Sequence, residues 1–222
     1  MIAEEYNYHQ EPKISIPKGK TISFIVKTIK EVPAYFISAL KNPEITQPLN
    51  ENKLTQILVE QINAVLYKKE LSISAQNQYN DLFYSTKGIP DIYFSEIEKG
   101  KTNKPLFIVE SKILPAPPPK IREKEYVIGE NKNGGIERFK IERHGKGLNE
   151  CGLVGFVEND SFDFWKNKVN GWINDISNDD DFWNEDETVI MKENTNISAF
   201  LHSIAHRKEA NDLLLYHFWI KT

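Results

Sequence analysis

Two stretches decide how this chain folds: Gly88-Ile89-Pro90-Asp91-Ile92-Tyr93-Phe94, and Phe107-Ile108-Val109-Glu110-Ser111-Lys112-Ile113-Leu114. Ile89 to Ile97 is rich in Ile, Tyr and Phe and predicts a strand. Leu106 to Leu114 predicts a second strand, apolar enough to be central in a sheet. The connection Glu98-Lys99-Gly100-Lys101-Thr102-Asn103 is short and rich in turn residues, so the two strands should pair as an antiparallel hairpin. Side chains alternate faces along a strand, which sets Glu110 and Lys112 on one face and Val109 and Ser111 on the other. Pairing as a hairpin then brings Asp91 beside Glu110.

A Pro-Asp pair or a Glu-x-Lys on a strand is ordinary when each stands alone, and a solvated ion pair explains it. Two charges inside an apolar strand are costly unless they are paired or functional. Two neighbouring carboxylates repel, and both ionise cheaply only beside a cation. Magnesium suits them: it takes oxygen ligands, uses one or two carboxylates and keeps several waters. Such an ion polarises a phosphate and acidifies water, and a lysine alongside offsets the charge developing on the phosphate. Asp91, Glu110 and Lys112 together therefore have what phosphodiester hydrolysis needs.

Outward from this pair, Leu54, Leu58, Ile62 and Val65 recur at spacings of three and four, so Glu51 to Tyr67 predicts an amphipathic helix. Pro115 to Pro119 ends the second strand. Gly134-Gly135 leads into a helix expected over Ile136–His144. Leu153–Val157 reads as a strand, Phe162–Ile176 as a helix, Asn178–Glu187 as an acidic loop, and Leu213–Ile220 as a final strand. The order predicts an α/β sandwich, a mixed sheet flanked by helices. Residues 1–50 read as a structural or partner-binding extension, with short strands at Ile14–Ile16 and Thr21–Lys27 and a short helix at Pro33–Leu40. Residues 51–222 read as the main domain.

The chain has 222 residues, 40% hydrophobic and 27% charged, a globular balance in one domain with an extension. Its formal net charge of -4 disfavours a broad non-specific grip on DNA. The charge is uneven, though: base gathers between Lys112 and Lys146, acid in Asn178–Glu187. No apolar run reaches membrane-spanning length, and the acidic start does not read as a secretory signal. The single cysteine, Cys151, has no internal disulfide partner, which suits a reducing cytoplasm.

The Asp91 and Glu110-Ser111-Lys112 stretches resemble the signature of PD-(D/E)xK, or restriction-endonuclease-like, nucleases. Downstream text is similar to a bacterial branch associated with restriction or phage-defence loci. That text comprises Glu125-Tyr126-Val127, Gly134-Gly135-Ile136-Glu137-Arg138-Phe139, Gly152–Val157, Ser203, His206-Arg207 and Leu215–Trp219. The resemblance runs from about Glu51 to Thr222. It implies the restriction-endonuclease-like fold and a Mg2+-dependent endonuclease (Mn2+ substituting) that cleaves DNA, less often RNA. It implies Asp91 and Glu110 as metal ligands and Lys112 as the residue serving the attacking water. A homodimer or a subunit of a defence complex is expected, since a two-sided cut needs two sites. A non-catalytic nuclease-like module that binds nucleic acid or a protein is the alternative.

Many such nucleases add a carboxylate from the preceding helix. At about 100° per residue, Glu51 falls within the apolar stripe and Glu60 opposite it, so Glu51 is the candidate; an acid favourable in a first helical turn explains it equally. Arg138 is expected to hold a phosphate or orient Glu110, or else to pair with Glu142. Lys120 and Arg122, beside Lys124 and Lys132, form a candidate nucleic-acid clamp, or a solvated loop. His206 and Arg207 are candidate phosphate contacts, again against a solvated loop. His217 and the tryptophans read as packing residues, His144 has no visible partner, and Asn131–Gly135 matches no nucleotide loop.

Overall fold

The computed structural model describes residues 18–222. A seven-stranded mixed sheet divides it, with helices on both faces. The strands are β1 (Ile73–Asn77), β2 (Ile92–Glu96), β3 (Phe107–Leu114), β4 (Glu150–Val157), β5 (Ile190–Asn194), β6 (Ser198–Ala205) and β7 (Leu213–Lys221). They lie in the order β1-β2-β3-β4-β7-β6-β5. The β3–β4 and β4–β7 pairs are parallel and the others antiparallel. The expected hairpin is present, with Ile92 opposite Val109 and Phe94 opposite Phe107. Every residue of β3 is buried, as its apolar composition predicts for an interior strand.

One face carries α1 (Lys18–Glu31), α2 (Pro33–Leu40) and α3 (Glu51–Lys68). Asn50 caps α3 by accepting from Lys53 N at 3.0 Å, and Leu54, Leu58, Ile62 and Leu66 line its buried side. Asn63 bonds both backbone groups of Ala75, at 2.8 and 2.9 Å, and so fixes α3 against β1. The other face carries α4 (Gly135–Lys140) and α5 (Phe162–Ser177). Ser161 caps α5, which buries Trp165, Val169, Trp172 and Ile173. Where β4 meets β7, a Cβ on Gly155 would stand 2.5 Å from the Trp219 ring, so the absence of a side chain there lets the indole approach the strand.

Thr21–Lys27, expected as a strand, lies within α1. Its β-branched residues favour a strand locally, but Ile22, Ile25 and Ile29 share one helical face, and the last two are buried against the sheet. The strand expected at Ile14–Ile16 lies outside the described residues. Ile25, Ile29, Val32 and Phe36 join the same core cluster as α3 and β2, so the described part of the expected extension packs into the core. The helix expected to reach His144 stops at Lys140. There Glu142 takes a φ of 55° and His144 N bonds back to Arg138 O at 3.1 Å, turning the chain inward. Strands β1, β5 and β6 had no sequence expectation; β1 and β5 are short edge strands with polar ends.

Candidate functional site

The β2–β3 ladder ends at Ile92 and Val109, and the strands then part. Asp91 stands at this fork, and its Oδ2 accepts from Ser111 N at 2.7 Å. The carboxylate takes the place of a strand partner at the point where β3 loses one. Gly88, three residues earlier, brings the loop close: a Cβ there would lie 2.2 Å from Arg143 O and 2.4 Å from the His144 ring.

Glu110 is fully buried one register step beyond the ladder. Its Oε1 accepts from Lys112 Nζ at 3.0 Å and from Arg138 Nη1. Its Oε2 lies 3.2 Å from His144 Nδ1, an ion-pair distance, but without the alignment of a hydrogen bond. Lys112 Nζ also reaches Glu51 Oε1 at 3.3 Å, from the first residue of α3. One buried lysine thus joins the sheet to the N-terminal end of α3, across the open fork.

These contacts set the charges. Burial pushes the Asp91 carboxyl up, and Glu110 and Glu51 add to this; Lys112 and the Ser111 amide recover only part, leaving it at about 8. Burial also raises Glu51, against the pull of Lys112. Burial works to raise Glu110 too, but Lys112, His144 and Arg138 outweigh it and hold the group at about 2. Burial disfavours the charge on Lys112, yet Glu110, Glu51 and Asp91 keep it firmly a cation. The fork therefore holds one ionised carboxylate ringed by cations and one carboxyl, Asp91, short of positive charge.

Of the residues expected from sequence, Asp91, Glu110, Lys112, Glu51 and Arg138 converge. Arg138 binds Glu110 rather than Glu142, so orienting Glu110 is the arrangement found. Lys120 is exposed on a 3-10 turn. Arg122 pairs with Glu125 at 2.7 Å and lines a cleft of about 550 Å3 whose wall includes Glu51, Ile113 and Pro115 to Pro118. His206 is held between Asp186 at 3.2 Å and Asp212 at 3.0 Å, away from the fork. Arg207 is buried and gives its guanidinium to the carbonyls of Phe139, Gly145 and Leu148, at 3.2, 3.3 and 3.0 Å. Those bonds leave it no surface role; they brace the turn that carries His144.

His144 is the site residue that sequence reasoning missed. It lies 34 positions from Glu110, and nothing local marks the contact. His217 is a satisfied core residue, bonded to Tyr126 OH at 2.8 Å and Ser203 Oγ at 3.0 Å. All four tryptophans are buried. Among the described residues no group of three or more His, Cys, Asp or Glu is arranged to hold a metal ion. No described helix is long and apolar enough to cross a membrane.

Fold and site together define an α/β protein with a mixed sheet and a buried Asp-Glu-Lys cluster at a strand fork. No protein-family model, curated protein or solved structure matches the chain.

Proposed function

We propose that the protein is a Mg2+-dependent endonuclease of the PD-(D/E)xK kind that hydrolyses phosphodiester bonds in DNA. The observation that carries the reading is the fork itself: Asp91 on the Ser111 amide, Glu110 beside it, and Lys112 spanning to Glu51. A hard cation needs only one or two carboxylates and completes its shell with water, so Asp91 and Glu110 suffice as ligands without a third acidic group. Glu110 Oε2, buried without a hydrogen bond, and Asp91, short of positive charge, both suit such an ion. When bound, the ion supplies positive charge that polarises a phosphate and acidifies water. Lys112 stays protonated and offsets charge on the scissile phosphate; Glu51 and Glu110 hold its ammonium in place. Arg138 and His144 fix the Glu110 carboxylate from behind.

A second reading has one observation in its favour. A carboxylate ringed by Lys112, Arg138 and His144 is also what a structural ion cluster looks like, which fits a non-catalytic module that binds nucleic acid or protein. Plasmid DNA and RNA incubated with and without Mg2+ or Mn2+, beside Lys112→Ala and Asp91→Ala, separate the two. Metal-dependent nicking by the wild type, lost in both variants, is the expected result. Binding with no cleavage under any condition overturns it in favour of the module, and a preference for RNA changes the substrate. Assembly as a homodimer rests on the two sites that a duplex cut needs, a phage-defence complex on the sequence resemblance, and a cytoplasmic place on the single cysteine, Cys151.

A further inference from the structure

A second cleft opens beside Asp91. It has a volume of about 230 Å3 and is lined by Asn52, Thr55, Gln56, Asn77, Gln78 and Asp91. Two elements build it. Asn52, Thr55 and Gln56 share one face of the first turns of α3, at the i, i+3 and i+4 spacing. Asn77 ends β1, and Gln78 follows with a φ of 55°. Gln78 N bonds Asp91 O at 2.9 Å and Tyr79 N bonds Pro90 O at 3.1 Å, so this corner is tied to the backbone of the site. The Asn63 clamp on Ala75 holds the two walls at a set distance.

The lining is unusual for a protein that handles phosphates: among the described residues no lysine or arginine lines it. Lys53, next to Asn52 in sequence, gives its ammonium to the carbonyls of Thr46 and Pro48, at 3.2 and 3.1 Å. Thr55 Oγ1 is used on Glu51 O and Gln56 on Glu60. Asn52, Asn77 and Gln78 are exposed, and among the described residues their side-chain amides have no hydrogen-bond partner. Three free primary amides thus face one space that offers donors and acceptors, with Asp91 at its inner edge and no cation among the described residues that line it.

A phosphate offers only acceptors and is held chiefly by cations, with amide and hydroxyl donors in support, whereas base edges are read by paired donors and acceptors. An asparagine or glutamine amide presents both at once and matches the N6–H and N7 of adenine. We propose that this cleft takes a nucleobase of the substrate, read on its hydrogen-bonding edge by Asn52, Asn77 and Gln78, with adenine the best fit. The proposal rests on the nuclease reading for the neighbouring phosphate: the base would belong to a nucleotide adjoining the bond at Asp91.

Binding of a short oligodeoxyadenylate is compared with that of an abasic sugar-phosphate chain of equal length, by fluorescence anisotropy in Ca2+. Both chains carry the same charge, so only base contacts distinguish them. The wild type should prefer the adenine chain by about tenfold, and the triple variant Asn52→Ala, Asn77→Ala, Gln78→Ala should lose most of that preference. The abasic chain should bind both proteins alike. Thermal melting of the triple variant should match the wild type, because the three amides brace nothing. Equal wild-type binding of the two chains, binding of neither, or a preference that survives in the triple variant each overturns the proposal. A wild type that shows the preference but never cuts in Mg2+ or Mn2+ sinks the nuclease reading instead and leaves the base pocket standing.

Discussion

Asp91 is the residue at which function and stability oppose each other. Without a cation its carboxyl holds a proton up to about pH 8, chiefly because of burial, while an unfolded aspartate releases it near 3.8. The folded state therefore binds more protons across that window. The stabilising contribution is complete below the unfolded value and is lost as pH rises through 8. Asp91→Asn keeps the shape and removes the titration. In chelator at pH 8 the variant should melt above the wild type, by about 2–4 °C for each kcal/mol recovered, and the gap should close by pH 4. An added Mg2+ ion should raise the wild-type melting temperature and leave the variant unmoved. A variant that melts below the wild type at pH 8 would show that the Asp91 carboxyl is not strained by burial.

The contact between Glu110 and His144 shows what a sequence read residue by residue lacks. The charges on Glu110 and Lys112 could be read because they interrupt an apolar strand. His144 follows a helix that ends early, and only the turn after Lys140, braced by Arg207, carries it to Glu110. His206 and Arg207 stood out as basic residues near the end of the chain. One is paired to two acids and the other to backbone carbonyls, and neither arrangement has a local signature.

At the level of elements, α1 and α2 carry the clearest consequence. Phe36 is fully buried and stacks on Phe156 of β4, with ring centroids 5.6 Å apart. Phe36→Ala should cost about 3–5 kcal/mol, read as a lower urea midpoint with an unchanged slope. A loss below about 1 kcal/mol would mean that α2 only rests on the domain. Helix α1 misleads a reader of propensity because Ile, Val and Thr favour strands. The spacing of Ile22, Ile25 and Ile29 was the better guide, since burial of one helical face outweighs a few tenths of a kcal/mol per residue in propensity. Strands β2, β3, β4 and β7 were legible because interior strands are apolar along most of their length. The edge strands β1 and β5 were not, because an edge buries little and leaves little apolar pattern; β6, though interior, was missed as well, since it buries only alternate residues.

At the scale of the whole molecule, the core on the α5 side contains a fully buried imidazole. Burial, with His202 nearby, holds His217 down at about 3, and Tyr126 and Ser203 bond the neutral ring. An unfolded histidine takes its proton near 6.5. The neutral ring thus contributes stability above that value, and the contribution falls away as pH drops toward 3, at up to about 1.4 kcal/mol per pH unit. Chemical denaturation at pH 6 and at pH 4 should show that decline in the wild type. His217→Gln, though weaker at pH 7, should show a shallower one. Parallel slopes for the two proteins would remove His217 as a source of acid sensitivity.

From the sequence alone came the alternation of buried and exposed positions, the hairpin, the main helices, and an acid-acid-lysine set facing one way. These follow from periods of two and 3.6 residues, which each segment carries within itself. The tertiary structure alone decided the parallel placing of β4 between β3 and β7, the opening of the fork at Asp91, and the arrival of Arg138 and His144 behind Glu110. It also aligned α3 with the end of β1 to enclose the amide cleft. Those pairings join segments far apart in the chain, and they are chosen by how whole faces bury against one another, which no single window of sequence records.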